Sequence, residues 1–389
     1  MFAFLSKLSI TFKINIVNKY KMDNKKDFAC SAPFVGMSFL GSVRPCCQID
    51  LKLNSSNITK HEKSLDYYKT QRKKVQNSFV RDNFHPECKM CLSQPSTYAD
   101  FFNKQWPIKR DNYLTDQIKH LHIQFNNKCN LACRMCSASF SNLHDKEAGG
   151  DGTITHSIPL GSKLYNDLVN SIDEIEYLYL TGGESFVDPT SWEFLQRCVD
   201  KDRAKYIDLQ VNTNGTVKLN SEQLNILKQF KRTNIHLSID GIGSMAEYTR
   251  TGLVWDKWIK NLDRYVENFG RDDITLVYTV SVLNIWQFAD DIEFFKSKGL
   301  NIHWQVLWGP EGLSIANLPN KTKKYLEKKY KNHKYKAVLN TLFNKNVTKK
   351  DVATEIFKLD QRAIKYSKWP NYKSYHERFP EYWKLITAS

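Results

Sequence analysis

The sequence predicts an α/β protein built on a partial (β/α)6, TIM-like barrel. A cysteine-rich module precedes the barrel and a basic helical extension follows it. Three observations lead there. Short apolar strands alternate with helical stretches of roughly 10–15 residues, the pattern of a parallel sheet. A cysteine motif follows the first of those strands directly. Polar motifs follow three later strands, where barrels and open parallel sheets place their chemistry.

The strands read HLHIQF (120–125), IEYLYL (175–180), YIDLQV (206–211), NIHLSI (234–239), DITLVYTV (273–280) and NIHWQVL (301–307). All are rich in Ile, Val, Leu and Tyr, which suit a pleated surface. Helices are expected near 161–172, 190–200, 221–231, 254–268 and 287–298, the last closed by Gly299 at its C′ position. The barrel therefore occupies 119–310. Residues 28–118 form the cysteine-rich module, with a charged helix near 58–80, and 311–389 form the extension. Residues 1–27 hold apolar alternation and lysines and are assigned no function.

Apolar residues make up 41% of the chain and charged residues 25%, ordinary values for a soluble globular protein. No uncharged apolar run reaches the roughly 18 residues of a membrane span. No secretory signal is convincing, so a cytoplasmic protein without disulfides is expected, and metal binding is the better reading of its cysteines. The net charge of +16 is uneven. Residues 321–389 hold 18 Lys/Arg against 6 Asp/Glu, whereas residues 29–320 hold 33 of each sign. A neutral body with a basic end suggests either a solvated helical face or a tail that meets an anionic partner.

Eight of the nine cysteines lie between 30 and 136. The stretch KCNLACRMCS places Cys129, Cys133 and Cys136 in a C-x3-C-x2-C pattern just past the first strand. Soft thiolates suit iron–sulfur or zinc. Three protein ligands leave a metal coordination position open, as a catalytic centre requires. After the second strand comes TGGES: Thr181, Gly182, Gly183, Glu184 and Ser185. Two glycines let backbone approach a ligand, and Glu184 can accept from an ammonium group. Strand three ends in NTNG, where Asn212 and Asn214 either bond ligand oxygens or form an Asn-Gly turn. Strand four ends at Ser238 and Asp240, with Arg250 ten residues on.

These motifs resemble the radical S-adenosylmethionine (SAM) superfamily, over about residues 119–310. The resemblance implies a [4Fe-4S] cluster held by Cys129, Cys133 and Cys136, with SAM chelating the fourth iron. It places Met135 near the adenine and Thr181, Gly182, Gly183 and Glu184 at the glycine-rich motif. It puts Ser238 and Asp240 toward the ribose region and Arg250 at the carboxylate, with Asn212 and Asn214 placed to bond ribose or carboxylate oxygens. It further implies reductive cleavage of SAM to a 5′-deoxyadenosyl radical that abstracts hydrogen, oxygen sensitivity, and a one-electron reductant such as flavodoxin or ferredoxin. No acid–base catalytic residue can be nominated.

The upstream cysteines read Cys30, then Cys46 and Cys47, then Cys88-x2-Cys91. Such a set marks a metal site without identifying the metal, and zinc or a closed four-cysteine cluster both match. The stretch resembles the twitch-type modules that hold an auxiliary [4Fe-4S] cluster, with Cys30, Cys46, Cys88 and Cys91 as ligands and Cys47 interchangeable with Cys46. Cys198 belongs to a helix and is read as core. Three functions remain open at this stage. They are a peptide- or protein-modifying enzyme, an RNA-modifying enzyme drawing on the basic tail, and a non-enzymatic, zinc-stabilised nucleic-acid-binding protein.

Overall fold

A computed structural model of the chain describes residues 30–40, 43–46, 64–81, 88, 98–108, 116–307, 309–344, 349–366, 368–369 and 372–387. Cys47, Cys91 and the segment 1–27 lie outside the described residues. The fold is α/β with parallel strands, of the partial TIM-like barrel class. By compactness the chain divides into two units, residues 1–124 with 157–179, and residues 125–156 with 180–389.

In the first unit, β1 (Gly36–Phe39) pairs in parallel with β3 (His120–Gln124) and antiparallel with the short β2 (Val43–Arg44). Helix α1 (Leu65–Val80) lies within the helix expected near 58–80, of which residues 58–63 are outside the described residues. It packs through Leu65, Tyr68, Val75 and Phe79, an apolar stripe at helical spacing. Its Arg72 is buried and donates to the carbonyls of Gly36 and Gln117 at 3.3 and 3.1 Å. Burial lowers its guanidinium to about 10. One apolar cluster gathers Phe34, Val35, Val75, Phe79, Phe102 and Trp106, with Cys46 and Cys88 inside it and Cys30 against it.

The second unit begins with β4 (Ala132–Cys133) and α2 (Asn142–Glu147). Strand β5 (Tyr177–Thr181) straddles the division, its last two residues counting with this unit. Then α3 (Pro189–Asp200), β6 (Asp208–Thr213), α4 (Ser221–Lys228), β7 (Arg232–Ser238), α5 (Ser244–Thr249), β8 (Arg250–Thr251) and α6 (Trp255–Phe269) follow. The barrel elements close with β9 (Ile274–Val280), α7 (Phe288–Ser297) and β10 (Asn301–Val306). Strands β6, β7, β9 and β10 lie side by side in parallel, in that order. Two of these helix starts have a clear local cause. Asp188 caps α3 ahead of Pro189, and Asn220 forms a capping box with Gln223 ahead of α4. Gly299 takes φ +74° just past α7, as its C′ position requires.

Strands β5, β6, β7 and β9 alternate strictly, whereas β1 and β3 are buried at every position. In β6, β7 and β9, residues such as Leu209, Ile235, Leu237 and Leu276 are buried, and their polar neighbours are half-exposed on the opposite face. The extension is not a detached tail. Helices α8 (Asn320–Tyr330), α9 (Val352–Lys365), α10 (Tyr375–Arg378) and α11 (Pro380–Ile386) place Leu326, Tyr330, Ile356, Leu359, Tyr375, Phe379 and Ile386 in one core with Tyr278, Val280 and Leu283. Charge counting along the sequence sees the Lys-rich outer faces and misses this apolar stripe, which recurs at helical spacing.

Candidate active site

The cysteine loop is held from several sides. Cys133 and Ala132 pair antiparallel with Arg250 and Thr251. Arg134 N–H donates to the Thr249 carbonyl at 2.8 Å, and Cys129 N–H donates to Asn142 Oδ1 at 3.0 Å. Ser141 Oγ, which caps α2, donates to the Leu131 carbonyl at 2.6 Å. The three thiols border one cavity of about 370 Å3. Its walls also include Leu131, Met135 and Phe140 from the loop, Thr181, Gly182 and Gly183 after β5, and Asn212, Thr213 and Asn214 from β6 and its end. Ser238, Asp240, Arg250, Thr279, Gln305, Leu307 and Gly309 complete it. The volume lies within the range of about 300–1,000 Å3 common for small-molecule sites.

Burial dominates the electrostatics. It pushes the Cys129 thiol up to about 12 and raises Cys133 and Cys136 as well, with Arg250 opposing the rise at the latter two. Ligation of such thiols must displace their protons. Arg250 Nη1 stands 3.9 Å from Cys133 Sγ, and its Nη2 pairs with Asp240 at 2.7 Å. Burial raises Asp240, and Arg250 and the Thr279 N–H, 2.8 Å away, counter it. The Nε of Arg250 is buried with no protein partner among the described residues. An orphaned donor beside three thiols suits an anionic group in the cavity. No three His, Cys, Asp or Glu side chains among the described residues stand close enough to hold a single ion. A cubane separates its cysteines more widely than one tetrahedral ion does, so the donor set and the space beside it match a cluster with an open position.

Nine of the ten expected cofactor residues line this cavity; Glu184 does not. Its carboxylate is buried and accepts from Thr213 Oγ1 and Asn214 N–H, both at 2.6 Å, and from Phe186 N–H at 3.1 Å. The sequence reading gave this group a ligand ammonium; here three protein donors occupy it and it ties the loop after β5 to the end of β6. Glu184→Ala is therefore expected to lower the melting temperature as well as SAM affinity, because each charged hydrogen bond contributes about 1.5–3 kcal/mol. Thermal melts read alongside equilibrium dialysis decide this: an Ala variant melting with the wild type would contradict it. Gly183 has a clear steric reason, since a Cβ there would stand 2.1 Å from the Lys128 carbonyl oxygen, next to Cys129.

Sequence reasoning missed Arg134. This residue sits between two of the cysteines, is buried, and ion-pairs with buried Glu147. Its guanidinium donates to the Leu359 carbonyl at 3.3 Å and lies 5.5 and 5.0 Å from the rings of Tyr248 and Tyr372. Trp369 Nε1 donates to the other Glu147 oxygen at 3.1 Å, and Asp360 accepts from Tyr248 and Tyr372 hydroxyls. No motif announces this arrangement, since its members are scattered from 134 to 372.

Parallel strands with three cysteines on the loop after an early strand define a site of the cluster-binding kind. Residues 123–295 match the family model described as the Radical SAM superfamily, and the chain carries a radical SAM domain there. A domain of that kind implies SAM and a [4Fe-4S] cluster as cofactors and an external electron donor. The non-enzymatic, zinc-stabilised reading falls with that match. No curated protein matches the chain. Among solved structures, it is similar to anSMEcpe with bound AdoMet and Cp18Cys peptide, at 17% identity and a TM-score of 0.39, covering 56% of this chain and 59% of that one. It is also similar to Streptococcus suis SuiB bound to S-adenosylmethionine, at 13% identity and a TM-score of 0.38, covering 55% and 47%. A third is TYW1 with a lysine-pyruvate adduct, at 13% identity and a TM-score of 0.35, covering 69% and 90%. The chain thus spans less than two thirds of the length of the first two. No helix among the described residues is long and apolar enough to cross a membrane.

Proposed function

We propose that this enzyme uses SAM to abstract a hydrogen atom from a peptide or protein substrate. The observation that carries this is the polar inner wall of β6, β7, β9 and β10, which is uncharged from Gln210 and Asn234 up to the cofactor cavity; its charges, Asp208 and Arg232, stand side by side at the far end. Across the sheet, Gln210 stands beside Asn234, Asn212 beside His236, His236 beside Thr275, and Val277 beside His303. Ser238, Thr279 and Gln305 continue the same face to the cofactor cavity. Burial, helped by His303, lowers His236 to about 4, so its imidazole is neutral at physiological pH. Gln210 Nε2 lies 3.2 Å from His236 Nδ1; the amide can only donate there, which leaves the imidazole proton on Nε2. A wall of amides, hydroxyls and neutral imidazole suits peptide groups, whereas nucleic-acid phosphates call for Lys and Arg.

In this reading Cys129, Cys133 and Cys136 hold the cluster. When bound, it supplies one electron to the sulfonium of SAM, releasing methionine and the 5′-deoxyadenosyl radical that takes the substrate hydrogen. Met135 packs the adenine, while Thr181, Gly182 and Gly183 give the ligand backbone to approach. Asn212, Asn214 and Ser238 meet the ribose region, and Asp240 orients Arg250 toward the carboxylate. Cys30, Cys46, Cys88 and Cys91 hold an auxiliary [4Fe-4S] cluster, supported by the gathering of the first three in one apolar cluster.

The test uses formation of 5′-deoxyadenosine by anaerobic protein with dithionite. Cell extract is expected to stimulate it, and protease treatment of the extract should abolish the stimulation while nuclease treatment should not. The opposite pattern would favour an RNA substrate. His236→Leu should keep the unstimulated rate and lose the stimulation, since it removes a polar group from the wall and none from the cofactor cavity.

A further inference from the structure

The basic extension has one stretch of special position. Residues 358–373 carry five Lys/Arg and a single acid, Asp360, which is buried. Arg362, Lys365, Lys368 and Lys373 are exposed, and none pairs with a carboxylate among the described residues. Ile364 and Phe357, each 56% exposed, lie two turns apart on the same helix α9, on a face that adjoins Lys365. Exposed apolar side chains beside a basic face are the make-up of a protein-docking patch rather than of a purely solvated face.

Behind that patch lies the cysteine loop. Trp369 is half-buried, with Lys368 Nζ 5.6 Å from its ring centroid and the Tyr366 ring tilted against it at 5.7 Å. The inner edge of its indole reaches Gly252, where a Cβ would stand 2.8 Å from the ring and 3.1 Å from Leu131. Gly252 follows Thr251, which pairs with Ala132, and Leu131 lines the cofactor cavity between Cys129 and Cys133. The indole N–H bonds Glu147, the partner of Arg134. A single tryptophan thus separates an exposed basic patch from the loop that carries the three thiols.

We propose that the surface formed by Arg362, Lys365, Lys368 and Lys373 around Trp369 docks the acidic one-electron carrier that reduces the cluster. The inference rests on the radical SAM reading of the cysteine loop. The balance is one electron per encounter: a reduced flavodoxin is oxidised by one electron and the protein's cluster gains it. Redox encounters of this kind use limited and transient interfaces, and a basic patch steers an acidic carrier by opposite charge. This assigns the extension's charge a role at the cluster rather than at a nucleic acid.

The experiment compares two reductants on the reconstituted holoenzyme. Charge reversal of Arg362, Lys365, Lys368 and Lys373 to Glu is expected to raise the KM for reduced flavodoxin about tenfold or more at low salt, with the gap closing as salt screens it. Titration with oxidised flavodoxin, followed by flavin fluorescence, should show the same loss of affinity without any turnover. Cleavage of SAM driven by dithionite, which needs no docking, should stay within about twofold of wild type. A matched set at Lys321, Lys324 and Lys328 on α8 should leave the flavodoxin KM unchanged. If charge reversal also lowers the dithionite rate, replacement of the four residues by Gln decides by the same comparison. An unchanged flavodoxin KM in both sets overturns the proposal. So does a variant that loses binding of a labelled single-stranded RNA while keeping flavodoxin-driven turnover. Wild-type protein that fails with dithionite as well would instead sink the enzyme reading beneath it.

Discussion

Removing residues 352–387 is expected to destroy the second unit rather than trim it. The deletion takes Ile356, Leu359, Tyr375, Phe379 and Ile386 out of a core that also contains Tyr278, Val280 and Leu283. Truncating one buried Leu or Ile side chain costs about 2–5 kcal/mol, and this removes several at once. It also strips Arg134 and Glu147 of Leu359, Trp369 and Tyr372, leaving a buried ion pair without its surroundings. Arg134→Met with the chain intact isolates that second effect: leaving Glu147 buried and unpaired costs about 3–5 kcal/mol. Circular dichroism melts and limited proteolysis measure both. A truncated protein that melts cooperatively near the wild-type temperature would show that the extension is an appendage after all.

The second large effect is on iron. The two cysteine sets predict about eight irons per chain after anaerobic reconstitution, and about four after Cys129, Cys133 and Cys136 are all changed to Ala. Loss of all three ligands leaves no thiolate in the 370 Å3 cavity, so no partial site survives there. The remaining four irons would belong to Cys30, Cys46, Cys88 and Cys91. Wild-type protein that never exceeds four irons would remove the auxiliary cluster and leave the active site untouched. The reverse result, in which the triple variant keeps eight, would mean that the loop cysteines are not ligands.

What the sequence disclosed follows the range of the interactions involved. Strand alternation is local, so all six barrel strands were legible, as were five of the helices between them. The strand Gly36–Phe39 was missed because a run of four residues, FVGMSFL around it notwithstanding, has no period to read. Motifs at strand ends were legible because barrel geometry brings strand ends together. The direction of a side chain there was not: Glu184 could equally face the ligand or the protein, and Thr213, Asn214 and Phe186 claim it. Arg134 and its partners were hidden for a related reason. A charged residue reads as exposed, and only tertiary structure shows a carboxylate, two rings and a carbonyl closing around it.

The central claim is that the Cys129–Cys136 loop cleaves SAM reductively. Its most direct test is the yield of 5′-deoxyadenosine and methionine from SAM, measured with reconstituted protein and dithionite in the absence of substrate. The wild type should form the two products in equal amounts, Cys133→Ala should form none, and the Cys88→Ala, Cys91→Ala double variant should continue. A fully loaded wild-type protein that yields no 5′-deoxyadenosine with any reductant would contradict the account.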